Sequence, residues 1–146
     1  MSKLKSAVGL DPGASTGVAI FENGKLIRLT TWTPIQLITL LPSLSVTSVI
    51  FEDSRLTSPV WSRGTSQAAR MKIARNVGQV DAICNLICAL CEEMKINARG
   101  ISPKHKGRKL DAETFNKLTG WDKKSNQHER DAAMCVFSHG GIKRLA

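Results

Sequence analysis

Asn23-Gly24 stands between two apolar, strand-like runs, GVAIF and KLIRLTTW. No dipeptide adopts the positive backbone angles of a two-residue hairpin more readily, so the two runs are predicted to pair antiparallel. A third run, SAVGLD, precedes them across the turn PGASTG. Beyond this ribbon the hydrophobic period changes. Pro34 opens PIQLITLL, with Leu37, Leu40 and Leu41 at helical spacing, and Pro42 with its serines closes it. VTSVIFED then reads as a β-branched strand, LTSPVWSRGTS as a loop, and SQAARMKIARNVGQVDAICNLICALCEEM as one long helix with Gly78 as its soft point. NARGIS is a strand, Asp111 caps the short helix AETFNKLTG that stops at Gly120, and HERDAAMCVFSHGG is a last helix ending near Gly140.

The order β-β-β-α-β-α-β-α-α predicts one α/β domain across residues 1–146: a mixed five-stranded sheet with helices on both faces. In it, the first strand and the strand ending at Glu52 lie side by side near the centre. At 146 residues, with 42% hydrophobic and 23% charged residues, the chain can bury a core of its own. No apolar run approaches the ~20 residues of a membrane span. The apolar part of MSKLKSAVGL is too short for a signal peptide, so an intracellular, cytoplasmic protein is expected.

The formal charge of +9 favours a polyanionic partner, and its distribution narrows the choice. From Arg55 to Val80 the basic residues are Arg55, Arg63, Arg70, Lys72 and Arg75, with no acid among them. A second cluster, Lys104, Lys106, Arg108 and Lys109, surrounds His105. No basic amphipathic helix with large exposed apolar residues stands out, which argues against a membrane surface. Cys84, Cys88 and Cys91 have the C-x3-C-x2-C spacing of some iron–sulfur sites. They lie on one face of the long helix, where free cysteines act as small buried hydrophobes, and Cys135 on another apolar helix face reads the same way.

Three acids occupy positions where a core would not tolerate them unaided. Asp11 follows AVGL, Glu52 follows VTSVIF with Asp53 as a rival one residue away, and Asp131 sits three residues after His128 on one helix face. If the two strands are neighbours and the helix crosses their ends, three carboxylates and an imidazole converge. Such a cluster needs a cation to stay ionised, and hard oxygen ligands with open positions suit Mg2+ or Mn2+. Two ions about 3.5–4 Å apart would activate a water and stabilise the leaving oxygen of a phosphodiester. Taken singly, Asp11 also fits a turn, Glu52 a surface acid, Asp131 a helix N-terminus and His128 a capping role.

GLDPGASTGVAIF, VIFED and HERDAAMCVF together resemble the three motifs of the RuvC-like Holliday-junction resolvases of the RNase H-like superfamily. The resemblance runs in order from Asp11 to about Phe137 and implies an RNase H-like fold. It also implies a metal-dependent DNA endonuclease in which Asp11, Glu52 and Asp131 bind the ions. His128 stands where many relatives have a carboxylate, as a ligand, a water-positioning group or a proton relay. The compact length is similar to the phage or prophage branch, placing the protein in a bacterial or phage-infected cell.

The same resemblance implies a homodimer acting on the paired strands of a four-way junction. The long helix is its candidate interface through Ile73, Val77, Val80, Ile83 and Ile87, a face that fits packing on the sheet equally well. Arg55, Arg63, Arg70, Lys72 and Arg75 would touch phosphates, and Trp61 would stack at the junction or anchor its own loop. Lys104, Lys106, Arg108 and Lys109 would form a second phosphate-contacting patch. The GLDPGASTG turn also resembles the phosphate loop of actin-like ATPases and sugar kinases, but those need a second domain to close over nucleotide. Action on RNA–DNA hybrids or other branched DNA, and a non-catalytic DNA-binding module, are the remaining alternatives.

Overall fold

A computed structural model of the chain describes residues 6–57, 66–103 and 109–138. Trp61, Arg63, Lys104, His105, Lys106, Arg108 and Gly140 lie outside the described residues. Strands β1 (Ser6–Asp11), β2 (Thr16–Glu22) and β3 (Lys25–Trp32) lead into helix α1 (Pro34–Leu40) and strand β4 (Ser48–Glu52). Helix α2 (Gln67–Met94), strand β5 (Asn97–Ile101) and helices α3 (Ala112–Thr119) and α4 (Gln127–Ser138) complete the order. This is the predicted succession of elements. Asn23 and Gly24 both have positive φ, 52° and 80°, as the hairpin between β2 and β3 requires. Thr33 and Gln36 form a reciprocal capping box ahead of Pro34, and Asp111 and Gly120 cap α3 at its two ends.

The sheet runs β3-β2-β1-β4-β5. Strands β1, β2 and β3 pair antiparallel, while β4 lies parallel to β1 and β5 parallel to β4. The C-terminal ends of β1, β4 and β5 therefore share one edge of the sheet. Side chains alternate across it. Val8, Leu10, Val49 and Phe51 face α2, where Ile83, Cys84, Ile87 and Cys91 complete one core. Ala19, Phe21 and Ile50 face the other side and pack with Phe115 and the α4 residues Ala132–Val136.

Helix α4 approaches the sheet closely because two strand residues lack side chains. A Cβ on Gly9 would lie 2.1 Å from the carbonyl oxygen of Ala132, and one on Gly17 would lie 2.1 Å from that of His128. The helix backbone thus rests on β1 and β2, and its first turns are carried to the end of β1.

Helix α2 is the one long helix read from the sequence, and its apolar face divides between core and surface. It is continuous through Gly78, whose missing side chain faces open space. Of the face made by Ile73, Val77, Val80, Ile83 and Ile87, Ile83 and Ile87 are buried against the sheet and Val80 packs on the same core. Only Ile73 and Val77 are left as half-buried residues outside it. The Cys84, Cys88 and Cys91 spacing serves this packing too: all are free thiols, with Cys84 and Cys91 buried. Desolvation pushes the Cys91 thiol up to about 11, with a smaller contribution from Cys88. Among the described residues no helix is long and apolar enough to cross a membrane.

Candidate active site

The pleat sends the two acids at the end of β4 to opposite faces of the sheet. Ile50 faces α4 and Phe51 faces α2, so Glu52 falls on the α4 side and Asp53 on the α2 side. On β1, Gly9 meets α4 and Leu10 meets the α2 core, so Asp11 also falls on the α4 side. The parallel register pairs Gly9 with Ile50 and Leu10 with Phe51. The next step along both strands sets Asp11 beside Glu52 across a spacing of about 4.8 Å.

Asp11, Glu52, His128 and Asp131 line one cleft of about 260 Å³, with Pro12, Ser54, Val80 and Lys109 completing its wall. His128 Nδ1 lies 2.9 Å from Asp11 Oδ2. An ionised carboxylate only accepts, so Nδ1 is the donor in this contact. Gln127 Nε2 donates to Asp131 Oδ1 at 2.8 Å, and Lys109 Nζ stands 4.0 Å from Asp131 Oδ2. Asp131 and Asp11 are buried, while the His128 side chain is 61% exposed.

Among the described residues no three His, Cys, Asp or Glu side chains are grouped tightly enough to enclose a cation as they stand. Asp11 and Asp131 instead hold hydrogen bonds to His128 and Gln127. The chemistry of the donor set nevertheless suits a hard divalent ion: three carboxylates and one imidazole line a single cleft.

No protein-family model matches the chain, and no curated protein does. Among solved structures it is similar to T. thermophilus RuvC in complex with a Holliday junction substrate, with a TM-score of 0.57. The match covers 97% of this chain and 99% of that one at 14% identity. The fold is RuvC-type and RNase H-like. The mixed pairing, the adjacency of β1 and β4 and the helices on both faces are those expected from the sequence.

Within this RuvC-like frame the basic residues separate into three groups. Val80 lines the cleft, so the part of α2 before it runs past the strand ends, carrying the exposed Arg70, Lys72 and Arg75. At 1.5 Å per residue, Arg70 lies roughly 15 Å further along the helix axis than Val80. Lys109 stands in the cleft itself. Arg55, exposed like them, is instead held by neighbouring protein groups. Its Nε and Nη2 donate to Asp53 Oδ1 and Oδ2, each at 2.8 Å, and its Nη1 donates to Asn85 Oδ1 at 2.6 Å.

Asp53 is consequently a structural acid, 4% exposed, whose carboxyl the Arg55 guanidinium holds below the usual carboxylate range. Sequence reasoning missed Gln127 and Ser54. Gln127 was legible, since it precedes Asp131 by four residues and therefore shares its helix face. Ser54 carries no such signal and is placed by the turn that follows β4.

Proposed function

We propose that the chain is a structure-selective DNA endonuclease that resolves four-way junctions by metal-dependent phosphodiester hydrolysis. The observation that carries this reading is the convergence of Asp11, Glu52, Asp131 and His128 from β1, β4 and α4 on one cleft of a RuvC-like fold. These four residues would hold Mg2+ or Mn2+, two ions per site. Such ions, when bound, activate a water and offset the charge that develops on the leaving oxygen.

The chain's own residues supply the rest. The bond from His128 fixes the direction of the Asp11 carboxylate, and Gln127 does the same for Asp131. Nε2 of His128 serves as the nitrogen that binds a cation or moves a proton. Lys109 meets a scissile phosphate at the cleft wall, while Arg70, Lys72 and Arg75 hold backbone phosphates of an arm lying along α2. Contacts of that kind strengthen binding without selecting sequence. A homodimer would present two such clefts to the two symmetric strands, with Ile73 and Val77 as the part of α2 least committed to its own core.

The test is a substrate panel. The protein is incubated with Mg2+ or Mn2+ and a four-way junction, a flap, an RNA–DNA hybrid and a linear duplex. Paired nicks in the junction with 5′-phosphate ends are expected, at rates well above those on the other three. Preferential cutting of the hybrid would transfer the assignment to an RNase H-type activity. Tight binding of the junction without any cutting would make the chain a binding module.

A further inference from the structure

Glu52 is the last residue of β4, and its direction depends on how that strand end is anchored. A strand that leaves its sheet frays unless the following backbone is tied down. Besides a Cys84 thiol contact to the Glu52 carbonyl at 3.7 Å, several ties run through the next few residues. The Asp53 amide donates to the Ile101 carbonyl at 2.8 Å, extending the β4–β5 ladder by one bond. The Asp53 carboxylate turns the chain by accepting from the Arg55 amide at 3.0 Å. The Arg55 guanidinium then closes a fork on both oxygens of that carboxylate. Its remaining bonds reach α2, at Asn85 Oδ1 and, at 3.3 Å, Cys88 Sγ. Ser54 Oγ adds a 2.7 Å bond to Asp81 one turn earlier on the same helix.

The space for this assembly is made by Gly100 on β5. A Cβ there would lie 2.6 Å from Asp53 Oδ2 and 2.8 Å from Asp53 Cβ. The buried carboxylate, the arginine fork and the adjoining glycine form one clamp on the α2 side of the sheet, opposite the face that Glu52 occupies.

We infer that Arg55, acting with Asp53, is a positioning residue for the reaction. The clamp ties the end of β4 to α2 and thereby sets the direction in which Glu52 enters the cleft. This inference rests on the nuclease reading of that cleft. A guanidinium engaged by both carboxylate oxygens and by Asn85 is not a free phosphate contact, so Arg55 differs in kind from Arg70, Lys72 and Arg75. A lysine cannot reproduce the two-pronged bond, because its charge sits at a single point.

Arg55→Lys and Arg55→Gln are compared with wild type for junction cleavage, junction affinity across a salt series and Mn2+ affinity, with folding checked by thermal melting. A positioning role predicts a kcat lower by roughly 10- to 100-fold. Junction Kd and its salt slope stay within about twofold, since no phosphate contact is lost. The double variant Asp53→Asn with Arg55→Gln should lose no more than either single variant, because one clamp is removed in each case.

Weaker junction binding with a shallower salt slope and unchanged kcat would make Arg55 a phosphate contact and overturn the inference, as would no change in any readout. A wild type that binds Mn2+ but cuts no DNA would reject the nuclease reading alone. The clamp would then be judged by Mn2+ affinity, which should fall about tenfold in Arg55→Lys. An unchanged Mn2+ affinity would overturn it, and a wild type that neither cuts DNA nor binds Mn2+ would overturn both.

Discussion

On the α4 face of the sheet, Gly9 and Gly17 bring helix backbone directly against strand backbone, whereas on the α2 face Leu10, Val49 and Phe51 hold the helix off at side-chain length. The close face carries the cleft, since His128 and Asp131 reach the strand ends only because α4 lies so near them. The thick face carries most of the large apolar side chains, and its helix is free to run on past the sheet with Arg70, Lys72 and Arg75. One face thus brings helix side chains to the strand ends, and the other supplies stability and reach. A methyl group at Gly9, where α4 meets the strand, should accordingly act oppositely to one on the outer side of α2 at Gly78.

Gly9→Ala should break the close face. The added carbon meets a backbone carbonyl that cannot rotate away, so the cost is expected to exceed ordinary overpacking, at about 4 kcal/mol by chemical denaturation. Displacement of α4 should remove cleavage even where the variant remains folded. A variant of wild-type stability would mean that the helix does not lie where the geometry puts it.

The thick face should show itself at alkaline pH. The Cys91 thiol is raised from 9.0 to about 11 in the folded chain. The unfolded chain therefore releases that proton first, so this share of stability is complete below pH 9 and is lost as pH rises toward 11. Two pH units correspond to about 2–3 kcal/mol. Melting temperature should fall over this window, and Cys91→Ala should flatten the fall. An equally steep fall in the variant would assign the effect to other groups.

The smallest effect is expected at Gly78 on the exposed side of α2, where a methyl group meets nothing. Gly78→Ala should stabilise by about 0.5–1 kcal/mol through helix propensity alone. A loss of stability instead would point to a surface that packs against this stripe.

Much of this arrangement was legible in the sequence because it depends on local chemistry. The hairpin at Asn23-Gly24, the caps at Asp111 and Gly120, and the long helix starting after Ser66 follow from turn and capping preferences that operate within a few residues. The neighbourhood of β1 and β4 followed from element order. What was not legible depends on contacts between distant segments. Glu52 and Asp53 are both strand-end acids until it is known that Phe51 packs on α2 and Ile50 on α4. Arg55 looks like its basic neighbours until Asp53 and Asn85 are brought around it. Gly9 and Gly17 have no side chains to contribute to any period, so their role in seating α4 leaves no pattern to read. How much of the apolar face of α2 packs on the sheet stayed open for the same reason: the residue at which the helix leaves the sheet is set by strand length, not by its own composition.

The central claim is that the cleft on the α4 face performs phosphodiester hydrolysis, and the most direct test is Asp11→Asn measured for binding and cutting on the same four-way junction with Mg2+. The substitution keeps the size of the side chain and removes its charge. Junction affinity should stay within a fewfold of wild type while nicking falls to background. Cleavage at the wild-type rate by Asp11→Asn would contradict the account.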